Sequence, residues 1–122
     1  MSDERPPVWV GHISLETDRL AESAAFMQKI GMRQVESFEN IAIFELRGGT
    51  HLVLQKRDSI TPSNSAFDLM VEDIDKTHAE FQAKDLRPTE IEQGRIHRWF
   101  YLKDPAGNTI KFNSTHVSNL PV

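Results

Sequence analysis

Val10–Glu16 reads VGHISLE. Ile13 and Leu15 alternate there with His12 and Ser14, the two-residue period of a strand that buries one face. Asp18 follows as a candidate N-cap. Leu20, Ala24, Met27 and Ile30 then recur at helical spacing, so the chain predicts a helix to about Ile30, stopped at Gly31. Three short strands fit the next stretch, about 33–38, 41–46 and 51–55. Glu39-Asn40 and Arg47-Gly48-Gly49 supply the turns between them.

The same order returns further along. Phe67–Val71 (FDLMV) reads as a strand, and Asp73 caps a helix with Ile74, His78 and Phe81 on one face. A weak strand near 89–91, a strong one over 97–102, the turn Asp104-Pro105-Ala106-Gly107-Asn108 and a last strand over 109–113 complete it. Each half reads βαβββ, and the polar, turn-rich stretch 58–65 (DSITPSNS) joins them. A lone unit of this kind leaves one face of its sheet uncovered. Two of them, paired within one chain or exchanged between chains, can put their helices on the convex side while the strands curl around a cavity, the natural place for a ligand. The predicted fold is therefore α+β: two βαβββ units, about 8–57 and 66–115, in a single domain over 8–115, forming a curled mixed sheet.

Composition narrows the function classes. Apolar residues are 39% and charged residues 26% of the 122, a balance that suits a globular domain. The net charge of −4 gives no reason to expect nucleic acid or an anionic membrane as partner. With no cysteine, disulfides, thiolate metal sites and cysteine nucleophiles are excluded. The polar start MSDERPP lacks the apolar core of a secretory signal. No apolar run reaches the ~20 residues of a membrane span, so a cytoplasmic protein is expected. Gly48-Gly49 is a hairpin turn, not a dinucleotide fingerprint.

Three segments carry a family resemblance: Gly11-His12-Ile13-Ser14-Leu15, Ile30-Gly31-Met32 after Ser23 and Phe26, and Phe100-Tyr101-Leu102-Lys103-Asp104-Pro105-Ala106-Gly107-Asn108-Thr109-Ile110. Over nearly the whole chain the sequence resembles a domain of the vicinal-oxygen-chelate superfamily, the glyoxalase I, bleomycin-resistance and extradiol dioxygenase group. The resemblance implies a divalent metal held by four cavity-facing side chains in the metal-using members. Those positions fall here on His12, Val53, Ala66 and Lys111. Only His12 matches. Val and Ala cannot coordinate and a protonated Lys repels a cation, whereas such a metal needs three or more N/O ligands. No metal is therefore expected, and a divalent ion enters only through a shifted set such as His12, Gln55 and His97.

Strand alternation puts His12, His51, Val53, Gln55, Asp68, His97, Trp99, Tyr101 and Lys111 on the cavity wall, with Ser14, Met70 and Asn113 beside them. Trp99 and Tyr101 offer stacking faces. Lys111 either holds an anionic oxygen or pairs with Asp68. His78, on the apolar helical stripe, reads as a packed, hydrogen-bonded histidine. Two function classes remain open. One is a metal-independent binding protein for a small organic molecule, as the bleomycin-resistance resemblance implies. The other is a lyase, isomerase or dioxygenase acting on a vicinal-oxygen substrate through a shifted metal site or through His12, Tyr101 and Lys111. A homodimer is expected, since the resemblance implies cavities near a two-fold interface and closed two-fold symmetry is the commonest oligomeric solution.

Overall fold

The computed structural model describes residues 4–122. Its first unit comprises β1 (His12–Thr17), α1 (Leu20–Lys29), β2 (Arg33–Ser37), β3 (Ile41–Glu45) and β4 (His51–Lys56), with a short 3-10 turn at Arg47–Gly49. The second comprises β5 (Asn64–Met70), α2 (Ile74–Ala83), β6 (Glu92–Gln93), β7 (Arg98–Lys103) and β8 (Thr109–Asn113). Two βαβββ units are thus present. Backbone bonding divides the strands into two mixed four-stranded sheets, ordered β1-β4-β3-β2 and β5-β8-β7-β6, each with one parallel pair at its first strand.

Alternation decides which face is buried. Leu52 and Leu54 are buried on β4 while His51, Val53 and Gln55 between them stay half-exposed; Phe100 and Leu102 do the same on β7. The helices cover these apolar faces. Phe100 stacks on its cross-strand partner Phe112 at 5.2 Å, and Phe81 of α2 meets both rings edge-on. Such aromatic pairs add roughly 0.5–1.5 kcal/mol each beyond area burial. His78 meets Phe100 edge-on and its Nε2 lies 2.8 Å from the Thr89 carbonyl, the packed histidine expected there.

Several boundaries differ from the sequence reading, each for a local reason. Asp18 does not cap α1. Arg19 is the N-cap residue, and Thr17 Oγ1 accepts its N–H at 3.0 Å while meeting Ser23 Oγ at 2.7 Å in a buried pair. Asp18 pairs instead with the Arg19 guanidinium, which holds its carboxyl below the usual range. Asp73 does cap α2, accepting from Lys76 N at 3.0 Å. The buried stripe of α1 is Ser23, Phe26 and Met27, with Leu20, Ala24 and Ile30 only partly covered. β5 starts at Asn64, because Thr109 N bonds Ser63 O and draws the linker's end into the sheet. The weak strand lies at Glu92–Gln93; Thr89 instead exchanges single bonds with Tyr101 through its own N–H and Oγ1.

The units join within the chain. One continuous core holds Leu15, Phe26 and Phe44 of the first unit with Leu69, Phe81 and Phe112 of the second. Asn108, buried in the turn before β8, donates from Nδ2 to the Glu16 carbonyl at 2.9 Å and to Asp104 Oδ2 at 3.1 Å; its Oδ1 accepts Ser63 N–H at 3.3 Å. Reciprocally, Arg47 in the turn before β4 pairs with Glu72 just beyond β5 at 2.7 Å. Gly107 holds φ +91° in the first of these turns, a conformation side chains rarely adopt. Among the described residues no helix is long and apolar enough to cross a membrane.

Burial raises the Asp104 carboxyl above its ordinary pKa, opposed by donors from Asn108, Ala106 and Gly107. An acid raised in this way favours the fold at low pH and loses that advantage as pH rises through its folded value. Asn108→Ala strands the Ser63 N–H and the Glu16 carbonyl, and removes the Nδ2 donor to Asp104 while leaving the backbone donors to that carboxylate in place. We expect it to destabilise the protein by about 1–3 kcal/mol, more above the carboxylate range than below it. Urea unfolding across that range, with exposed Asn119→Ala as the neutral control, measures this.

Candidate functional site

The open face of the second sheet is built in two rows. Asp68 of β5, Lys111 of β8 and Tyr101 of β7 are register partners across three strands, and Met70, Asn113 and Trp99 form the next row. β5 is irregular between Asn64 and Asp68, but the offset is two residues, which leaves the side-chain parity unchanged. Asp68 therefore stays beside Lys111. A cleft of about 410 Å³ lies over this face, lined by Asp68, Tyr101 and Lys111 together with Asn64, Ser65, Ala66, Phe67 and Thr109.

Neither charge in the row turns to the other. Lys111 Nζ sits 4.6 Å from the centre of the Trp99 ring, and no ion pair reaches it among the described residues. Asp68 Oδ2 accepts from Asn113 Nδ2 at 2.5 Å. The pairing of Lys111 with Asp68, one of the two sequence readings, is not made. Trp99 is itself fixed from behind: a Cβ on Gly94 would stand 2.4 Å from its Cζ3 and 2.9 Å from Cη2, so only glycine leaves room for the indole. Both the Trp99 indole nitrogen and His97 Nδ1, just before β7, are buried without a hydrogen-bond partner among the described residues.

The remaining predicted residues occupy the open face of the first sheet. His12, His51, Glu45 and Arg33 form a single cross-strand row. The His12 and His51 rings are 5.7 Å apart, His51 Nε2 lies 3.3 Å from Glu45 Oε2, and Arg33 bonds the same carboxylate. The Arg33 guanidinium, then His51, hold the Glu45 carboxyl below its ordinary range. Val53 sits in the next row beside Ser14 and Ile43, and Gln55 beyond it accepts from Arg57 at 3.0 Å. None of these residues lines the 410 Å³ cleft. The predicted wall is thus two patches, one acid–base in character and one cation-bearing.

Sequence reasoning missed Asn64 and Ser65 in the cleft because it placed them in the linker, Phe67 because alternation turned it away from Asp68, and Thr109 although it shares the parity of Lys111. It also missed Glu45 and Arg33. Alternation along Ile41, Ile43 and Glu45 was the signal available for the first; nothing in the sequence paired Arg33 with it.

At the four positions where the resemblance places metal ligands, the side chains are His12, Val53, Ala66 and Lys111. This donor set does not fit a divalent ion. Among the described residues no three His, Cys, Asp or Glu side chains converge on a point that could hold one.

A family model for the Glyoxalase/Bleomycin resistance protein/Dioxygenase superfamily matches residues 9–112. Solved structures share the fold at low identity. A lactoylglutathione lyase from Agrobacterium tumefaciens is 19% identical, with a TM-score of 0.77 over 90% of this chain and 96% of that one. The genomically encoded fosfomycin resistance protein FosX from Listeria monocytogenes is 16% identical, with a TM-score of 0.72 over 90% and 95%. The oxidase ChaP-H2 is 20% identical, with a TM-score of 0.67 over 93% and 98%. No curated protein matches the chain in sequence.

Gly94→Ala should push the Trp99 indole off its seat, costing about 1–3 kcal/mol as overpacking does. In a Trp9→Phe background, where Trp99 is the one fluorophore of its kind, its emission should move to longer wavelength. Unchanged emission and stability would mean that Gly94 does not fix the ring.

Proposed function

The chain belongs to the Glyoxalase/Bleomycin resistance protein/Dioxygenase superfamily, and we propose that it is a binding protein for a small organic anion, held over β5, β8 and β7 without a bridging metal. Lys111 carries this reading. It lines the cleft and its ammonium lies on the ring of Trp99, with no carboxylate partner among the described residues. A cation shielded by an aromatic face and left unneutralised attracts an anionic oxygen more strongly than an exposed lysine does. Ala66 and Phe67 add apolar wall and Tyr101 a ring and a hydroxyl, so the ligand pairs its charge with an apolar or aromatic body. The cleft volume lies within the range typical of small-molecule sites.

A second reading, a lyase, isomerase or dioxygenase, is favoured by the row Arg33–Glu45–His51 beside His12, where a carboxylate orients an imidazole as proton-transfer sites require. Metal analysis after metal-supplemented expression tests the metal-using form of this second reading. Near-stoichiometric, tightly bound metal favours the enzyme.

Replacing Lys111 by Met should weaken carboxylate ligands about 10–100-fold, the worth of one charge-assisted contact, and leave the matching amides nearly unchanged. Calorimetry with acid–amide pairs found by thermal-shift screening measures it. Equal loss for acid and amide, or binding that requires added divalent metal, sinks the reading.

We propose a homodimer as well, supported by the large apolar side chains Val8, Trp9, Val10 and Phe38 left exposed on one copy. Light scattering at high micromolar concentration should return twice the chain mass; a strict monomer counts against it.

A further inference from the structure

Asp68 and Lys111 are direct register partners on adjacent parallel strands, both lining the cleft, and opposite charges so placed ordinarily meet. Here each leans diagonally onto the next row instead. Lys111 goes to the face of Trp99, which Gly94 seats from behind. Asp68 goes to the amide of Asn113, itself buried between Met70 and Trp99 in the register. Two unlike charges thus stand side by side on the cleft floor, each anchored by a neutral group and neither cancelled by the other.

Resting on the anion-binding reading above, we propose that the cleft is built for a zwitterion: a small molecule with a carboxylate for Lys111, an ammonium for Asp68, and an aromatic or apolar remainder against Phe67, Ala66 and Tyr101. The chemical class is that of an α-amino acid or a compound bearing the same pair of charges. A monoanion would meet Lys111 but place its body against the uncompensated Asp68 carboxylate, and a monocation would make the opposite error. A ligand with both charges satisfies both groups and displaces no protein ion pair. The anchors matter for the same reason. Without Trp99 and Asn113 the two side chains would neutralise each other and the floor would lose its polarity.

The probes are L-phenylalanine, 3-phenylpropanoate and phenethylamine, which share a body and differ in charge. Calorimetry on the full chain should give L-phenylalanine an affinity about tenfold or more above either singly charged analogue, as one additional charge-assisted contact implies. Asp68→Asn should reduce L-phenylalanine to the level of 3-phenylpropanoate, and Lys111→Met should reduce it to that of phenethylamine. The unmodified protein already decides the matter if a variant fails to fold. If 3-phenylpropanoate binds as tightly as L-phenylalanine, the zwitterion inference is wrong and the anion reading stands. If none of the three binds, both are overturned.

Discussion

The amide of Asn108 is where three separate parts of the chain meet: the end of β1 through the Glu16 carbonyl, the linker through Ser63, and its own turn through Asp104. Each contact is local, yet together they set how the second unit lies against the first. The two sheets share one core but no backbone ladder, so nothing in strand pairing prevents them from sliding past each other. A buried amide with a partner for each of its atoms resists sliding directly, because a shift strands donors in a dry interior. Gly107 serves this contact by letting the turn close under Asn108 with Pro62 against it.

With the units fixed, the faces divide the work. The helix-covered sides are continuous apolar surface, and the open sides carry nearly all the chemistry. On the first sheet Arg33 and Glu45 neutralise each other along a row, with His51 against the same carboxylate. On the second the opposite charges do not. The difference comes from what stands one row away. Ile43, Val53 and Ser14 give the first row nothing better to bind, whereas Trp99 and Asn113 draw Lys111 and Asp68 aside.

Much of the fold was legible because periodicity, caps and turns agreed. VGHISLE and FDLMV each announce a strand, and Asp73 caps its helix as its chemistry suggests. Asp18 misled because Thr17, one residue earlier, has a hydroxyl that can take the Arg19 N–H from within the core. The short β6 was misplaced because two residues carry no period. Of the cleft residues, alternation alone supplied Asp68, Tyr101 and Lys111, but the pairing of Lys111 with Trp99 and of Asp68 with Asn113 was invisible. Such pairings depend on which side chain leans toward which neighbour, and the seat of Trp99 depends on Gly94, whose role lies in the side chain it lacks.

Thr17 and Ser23 form a hydroxyl pair in which both members are fully buried. Losing one strands the other, whereas two apolar replacements of matching shape can come close to neutral apart from the Arg19 N–H that Thr17 also serves. The two positions therefore behave as a single heritable character. Sequences drifting within this fold should keep both hydroxyls or surrender both, and intermediates should be sparse. The junction between β1 and α1 would then read as a covarying couplet, detectable by anyone comparing descendants of this chain and silent at either position taken by itself.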